Sequence, residues 1–236
     1  MKFLDPLIRG TLIKRYKRFL TDVKLENGEI VVAHCANPGS MLNLQEQGAA
    51  VWLSPARNPD RKLKYTWELI QIEGSLVGLN TNLPNKIVEE AIKKGGVPEL
   101  AGYESLRREV NYGKNSRIDI LLEGSSIPTC YVEIKSVTLN RPESGQRLAE
   151  FPDSVSARGT KHLQELSDQV ADGKRAVMFY LVQREDCDQF AVAADIDPTY
   201  AAALSAAVAA GVEVLCYGCR ISSEAISMAN KIKVNN

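Results

Sequence analysis

Asp119, Glu133 and Lys135 are the residues whose types and spacing point most directly to chemistry. Residues 117–122 (RIDILL) and 130–139 (CYVEIKSVTL) both read as strands, and 124–129 (GSSIPT) reads as the loop of a hairpin between them. Residues two apart on a strand project from one face, so Glu133 and Lys135 point together. Val132 and Ile134 then face the other way, toward a core. The hairpin can carry Asp119 close to Glu133. Adjacent carboxylates repel and raise one another's pKa. A divalent cation relieves that repulsion. Mg²⁺, with Mn²⁺ as a substitute, prefers hard oxygen ligands: one or two carboxylates completed by water and substrate phosphate. A lysine beside such a pair can orient the attacking water or stabilise charge building on phosphorus. E-x-K on a strand is also common as a plain solvated ion pair, so its surroundings decide between the two.

Those surroundings favour a site. Residues 85–94 (NKIVEEAIKK) carry Ile87, Val88, Ala91 and Ile92 at helical spacing. That helix also bears Glu89 and Glu90, one of which can supply a third carboxylate. A helix is expected over 161–171, opened by Arg158, Lys161 and His162. Basic groups there oppose the helix macrodipole, a local conflict of the kind that collects at sites, and a helix N-terminus welcomes phosphate. Residues 175–183 (RAVMFYLVQ) are almost continuously apolar, as in a central strand. Asp197-Pro198 starts an alanine-rich helix that Gly211 ends; a last strand follows over 212–217, then a short helix from about Ser222. The stretch 140–146 (NRPESGQ) reads as loop.

The first third is different. Short strand-like runs at 11–16, 17–25, 30–34, 49–54, 63–72 and 75–79 are punctuated by turn signals, Asn27-Gly28 foremost. A small Greek-key barrel of the OB type fits that length and count, and an SH3-like barrel also fits. The character changes near Asn82–Pro84, which divides the chain into 1–83 and 84–236. Lys14, Arg15, Lys17 and Arg18, with Tyr16 and Phe19 among them, make a basic and aromatic stretch suited to nucleic acid, through phosphate contacts and base stacking. Asn37-Pro38-Gly39-Ser40-Met41 reads as a barrel corner more readily than as a substrate loop, and His34 as structural. Trp52 and Trp67 read as barrel core, with no stacked platform for a sugar.

Charge is balanced, 29 basic against 29 acidic residues, so any footprint for DNA is local rather than global. No stretch approaches the roughly 20 apolar residues of a membrane span, and the start has no signal-peptide core. The five cysteines lack framework spacing and suit reduced thiols in the cytoplasm. Cys216 and Cys219 form a C-x-x-C without a partner pair, which reads as packed thiols.

The order of helix-borne Glu90, Asp119 on one strand and Glu133-x-Lys135 on the next resembles the PD-(D/E)xK nuclease superfamily, although Ile118 stands where its proline would be. A closer resemblance covers most of the chain. It rests on Arg15–Val23 (RYKRFLTDV), His34–Met41 (HCANPGSM), Thr66–Leu69 (TWEL), Ser116–Asp119 (SRID), Cys130–Leu139 and Phe151–Leu163 (FPDSVSARGTKHL). In these stretches the chain resembles the sugar fermentation stimulation protein family. The resemblance implies an α/β (α+β) protein: an OB-like barrel followed by a restriction-endonuclease-like mixed sheet. It also implies DNA binding without strong sequence preference and a regulatory role in maltose and sugar metabolism. Two functions therefore stand side by side. In one, Asp119, Glu133 and the Ile134 carbonyl hold Mg²⁺, Lys135 acts on water or developing charge, Glu90 supports them, and Lys14, Arg15, Tyr16, Lys17, Arg18, Arg158, Lys161 and His162 hold DNA. In the other, the same protein binds DNA as a regulator and cuts nothing.

Overall fold

The computed structural model describes residues 1–113, 116–141 and 147–235. Part of the 140–146 loop expectation lies outside them. Six strands build the first unit: β1 (Ile8–Tyr16), β2 (Leu20–Leu25), β3 (Ile30–Cys35), β4 (Ala50–Pro55), β5 (Tyr65–Ile72) and β6 (Ser75–Gly78). Their order is β3-β2-β1-β4-β5-β6, and an additional parallel pairing of β3 with β5 closes five of them into a barrel. This is the OB-type architecture. Alternation fills the barrel: Leu12, Val23, Ala33, Val51, Leu53, Trp67 and Ile70 are buried inside it. Trp52 departs from expectation. It is half-buried, under the Arg9 guanidinium, and packs outward against the core of the second unit.

One charged side chain is sealed in this unit. Glu68 is 5% exposed and accepts hydrogen bonds from Ser54 Oγ (2.6 Å) and Asn80 Nδ2 (2.9 Å). Burial pushes its carboxyl above the usual range, over the opposing pull of those two bonds and of Arg61 and Lys86. The folded chain thus holds this proton to higher pH than the unfolded chain does. The group's contribution to stability is full below the unfolded pKa of about 4.3 and is lost as pH rises through the raised folded value. The Glu68→Gln amide can donate to Ser54 and accept from Asn80. It is expected to flatten the fall in Tm between about pH 4 and 7 and to raise Tm at the upper end. Thermal melts across that range check this, and an unchanged slope counts against it.

After β6 come α1 (Pro84–Lys93), β7 (Ser105–Tyr112), β8 (Ser116–Glu123), β9 (Cys130–Val137), β10 (Leu148–Phe151), α2 (Ala157–Ala171), β11 (Arg175–Val182), β12 (Gln189–Val192), α3 (Pro198–Ala209), β13 (Glu213–Ile221), β14 (Ile226–Lys231) and β15 (Lys233–Val234). The main sheet runs β14-β13-β11-β9-β8-β7. β9, β11 and β13 are parallel at its centre, with antiparallel strands outside them. β11 is central, as its apolar run demands. α2 and α3 cover one face through Leu163, Leu166, Tyr200 and Leu204. α1, with Ile87 and Val88, covers the other, alongside the barrel residues Leu69, Trp52 and Leu76. The two helices on the first face approach closely: a Cβ on Gly159 would lie 3.0 Å from the Tyr200 ring.

Three readings are corrected here. The segment after Ser222 is strand β14, not a helix, because it closes the sheet edge against β13. α2 begins at Ala157 rather than Lys161: Ser156 caps it by accepting from the Gly159 N–H, which offsets the poor helix propensity of Gly159 and Thr160. β10, β12 and β15 form a small parallel sheet that their short runs did not announce. Cys216 and Cys219 are buried on opposite faces of β13, across a bulge, one in each core layer. Burial pushes both thiols up, Cys219 to about 12. They are packing groups. Among the described residues, no helix is long and apolar enough to cross a membrane.

Candidate active site

The pairing of β8 with β9 stops at Ile120–Val132. Beyond it the two strands part, and Asp119 and Glu133 stand in the gap. A backbone N–H freed from the ladder needs another acceptor. Here the Ile134 N–H donates to Asp119 Oδ2 at 2.7 Å. The other oxygen, Oδ1, accepts from Asn85 Nδ2 at 2.7 Å, from the first turn of α1. Burial, then the nearby Glu133 carboxylate, push Asp119 up to about 6 against the pull of these two bonds.

Glu133 is 3% exposed. Its Oε1 accepts from Lys135 Nζ at 2.8 Å and from His162 Nδ1. Arg158 Nε donates to His162 Nε2 at 3.3 Å, which assigns the ring proton to Nδ1 and aims it at Glu133. Burial pushes the Glu133 carboxyl up, but Lys135 and His162 outweigh it and hold it below the usual carboxylate range. Its second oxygen, Oε2, is buried with no hydrogen-bond partner among the described residues. A buried carboxylate oxygen left unmatched is costly. The donor set therefore suits a hard cation: one orphaned oxygen, and a second carboxylate that the first one destabilises. Among the described residues, no group of three carboxylates, histidines or thiols converges there, so water and phosphate oxygens would complete the coordination.

These groups line a cleft of about 710 Å³ between the two units. Asp119, Glu133, Ile134, Lys135, Arg158 and His162 form the side given by the sheet and α2. Asn37, Pro38 and Gly39 of the barrel form the facing side. That loop is held twice. Arg15 donates to the carbonyls of Asn37 (2.9 Å), Gly39 (3.0 Å) and Ser40 (3.3 Å), and its Nε to that of Arg18 (3.0 Å). Across the cleft, Ser40 Oγ donates to the Asp153 carbonyl (2.6 Å), and Asp153 Oδ2 accepts from the Met41 N–H (3.0 Å). A Cβ on Gly39 would sit 2.5 Å from Asp153 Oδ2, so this clasp needs glycine. The loop is thus part of the cleft as well as a corner.

The expected residues are not all brought together. Glu90 is absent from the cleft: its carboxylate pairs with the Met1 amine at 3.0 Å and with Lys94. The helical period turns it away, and Asn85 is the α1 residue that reaches Asp119. Glu89 pairs with Lys93 and with Arg108, which lines the cleft. Arg15 is spent on carbonyls and is not a free contact for DNA. His162 is buried beside Glu133 and holds that carboxylate, while still lining the cleft. Tyr16 donates its hydroxyl to Asp22, with Lys14 over its ring. Lys17 and Arg18 are exposed at the β1–β2 turn, and Arg158 lines the cleft. Lys161 donates to Ser116 Oγ and lines an adjoining cavity. Asn85 and Asp153 were missed. The signal for Asn85 was a polar residue just after Pro84 at the start of a helix; the signal for Asp153 was the glycine it faces.

The sugar fermentation stimulation protein RE domain matches residues 82–225, and the SfsA N-terminal OB domain matches residues 13–79. The chain belongs to the sugar fermentation stimulation protein family. A family homolog from Paramagnetospirillum magneticum is 58% identical over 228 residues, covering 97% of this chain and 95% of the homolog. One from Rhodospirillum centenum is 54% identical and is covered end to end, with 100% of each chain. The solved structure of Pyrococcus furiosus SfsA in complex with Ca²⁺ superposes with a TM-score of 0.88 at 29% identity, covering 100% of this chain and 98% of that one.

Arg15 gives this family member a testable dependence. Arg15→Ala removes a charged donor from four carbonyls and is expected to cost about 2–3 kcal/mol. Amide exchange should rise across 37–41. Lys14→Ala, which loses an exposed 3.7 Å pair with Asp22 and the contact over the Tyr16 ring, is expected to stay within about 1 kcal/mol. Equal effects from the two would remove Arg15 from its place as the loop's anchor.

Proposed function

We propose that this chain is a Mg²⁺-dependent phosphodiesterase acting on DNA without strong sequence preference. Mn²⁺ is the natural substitute, and the reading fits a cytoplasmic protein. A working division at residue 83 assigns the barrel to holding DNA and the sheet to the reaction. The observation that carries the reading is the buried, unpartnered Oε2 of Glu133, beside Asp119 and two residues from a lysine that shares its face. The relative solved with Ca²⁺ supports a divalent cation.

Asp119 and Glu133 would hold the cation, with the Ile134 carbonyl as a further oxygen. When bound, the cation supplies Lewis-acid polarisation of the scissile phosphate and lowers the pKa of a coordinated water. The chain's own residues do the rest. His162 donates to Glu133 Oε1 and fixes that carboxylate's orientation, and Arg158 fixes the histidine in turn. Asn85 and the Ile134 N–H fix Asp119. Lys135, already 2.8 Å from Glu133, can set its ammonium against the non-bridging oxygens where charge grows as the water attacks. Arg158 and Lys161 add phosphate contacts at the mouth.

The second reading is a DNA-binding regulator of sugar metabolism that does not cut. Its support is that both oxygens of Asp119 are already satisfied by hydrogen bonds. The two part on one experiment: cleavage of labelled DNA with Mg²⁺, Mn²⁺, Ca²⁺ or EDTA, wild type beside Asp119→Asn from the same preparation. Mg²⁺-dependent cuts lost in the variant support the enzyme. Binding with no cut under any cation supports the regulator.

A further inference from the structure

The barrel presents apolar groups to solvent on one face. Ile30 (64% exposed), Val32 (38%) and the half-buried His34 alternate along β3, and Phe19 (44%), in the turn just before β2, lies beside His34. The Phe19 and His34 rings are stacked, with centroids 6.4 Å apart and planes within 23°. Burial and then the Arg61 cation hold the imidazole below its ordinary value, so its face is uncharged at neutral pH. Lys17 and Arg18 precede Phe19 on the exposed turn, and among the described residues neither has a carboxylate within ion-pair distance. An apolar, ring-bearing stripe edged by unpaired cations matches a chain that offers flat faces and phosphates together.

This surface is tied to the cleft loop through Arg15. The same Arg15 guanidinium that holds the Arg18 carbonyl also holds those of Asn37 and Gly39. The turn before Phe19 and the cleft loop are therefore one guanidinium apart. The opposite end of the loop is clasped to Asp153, so the cleft is bounded from both units. Its volume of about 710 Å³ lies within the range of small-ligand pockets, which run from about 300 to 1,000 Å³. An adjoining cavity of about 810 Å³ shares Asp119, Arg158 and His162 with it, so the path continues past the carboxylates.

We infer that the substrate is an unpaired strand, which stacks a base on Phe19 and His34 and passes under the 37–39 loop to Asp119 and Glu133. A duplex keeps its base faces inside its own stack and has none to offer these rings. The inference rests on the nucleic-acid reading above and supplies its substrate class.

The test is binding without chemistry. Fluorescence anisotropy in EDTA compares a labelled 12-nucleotide oligothymidylate with a blunt hairpin duplex closed by a non-nucleotide linker, for wild type, Phe19→Leu, Phe19→Trp and Phe19→Ala/His34→Ala. Wild type should prefer the single strand. Phe19→Leu and the double variant should lose about 5- to 150-fold in that affinity, the range of one lost base stack. Phe19→Trp should keep it, and hairpin affinity should not move. A Phe19→Leu protein with a wild-type melting curve and full single-strand affinity overturns the inference, as does equal or tighter hairpin binding. A protein that dimerises through this stripe by sedimentation, with Phe19→Leu monomeric, also overturns it. Failure of every oligonucleotide to bind would bring down the DNA reading itself. Selective binding without Mg²⁺-dependent cleavage would leave this inference standing and the phosphodiesterase reading fallen.

Discussion

Lys135→Ala is expected to slow Mg²⁺-dependent cleavage by about 10²–10³-fold, the cost of removing one positioned charge from a transition state. DNA affinity should stay within about twofold, because an interaction made only as charge develops leaves ground-state binding untouched. The geometry gives the reason. Lys135 shares a strand face with Glu133 and lies 2.8 Å from its Oε1, while the exposed cations proposed to meet phosphate, Arg158 and Lys17 among them, belong to other elements. Single-turnover rates at saturating enzyme measure the first quantity, and anisotropy in Ca²⁺ measures the second. A parallel loss of both would make Lys135 a phosphate anchor. An unchanged rate would take it out of the reaction.

The same substitution should also be felt in the fold, with the opposite partner making good the loss. In EDTA, Lys135→Ala is expected to destabilise by about 3 kcal/mol, at the low end for a broken buried pair because Lys135 keeps 14% exposure. It leaves Glu133, 3% exposed, with His162 as its remaining partner and Oε2 still unmatched. Glu133→Gln removes the charge while its carbonyl oxygen can still accept from His162. Glu133→Gln/Lys135→Ala should therefore recover most of the loss. Urea unfolding of the four proteins closes the cycle. Additive effects would mean that the two side chains are not coupled and that the short contact between them carries no weight.

Much of this was legible because two periodicities do most of the positioning. Period two put Glu133 and Lys135 on one face, and the apolar run at 175–182 set the sheet's centre. Asn27-Gly28 and its neighbours set the barrel's hairpins. What escaped depended on contacts between segments distant in sequence. Glu90 and Asn85 sit on one helix, and only the angle at which α1 crosses the sheet decides which of them meets Asp119. Arg15 belongs to a basic run, yet three of its four carbonyl partners come from a loop more than twenty residues on. His162 reads as a surface group at a helix start until α2 docks on the sheet. The error at Ser222 has the same source: an edge strand takes its conformation from the neighbour it pairs with.

The barrel's outward residues Leu69, Trp52 and Leu76 share a core with the face of the sheet that α1 covers. Each half of the chain therefore completes the other's interior. Cut apart near residue 83, the barrel would carry a greasy flank into water, and the remaining piece would lose both its cover and the wall opposite its carboxylates. The two halves are therefore expected to unfold together as one cooperative body, and a truncated half is a poor stand-in for the whole chain in any assay.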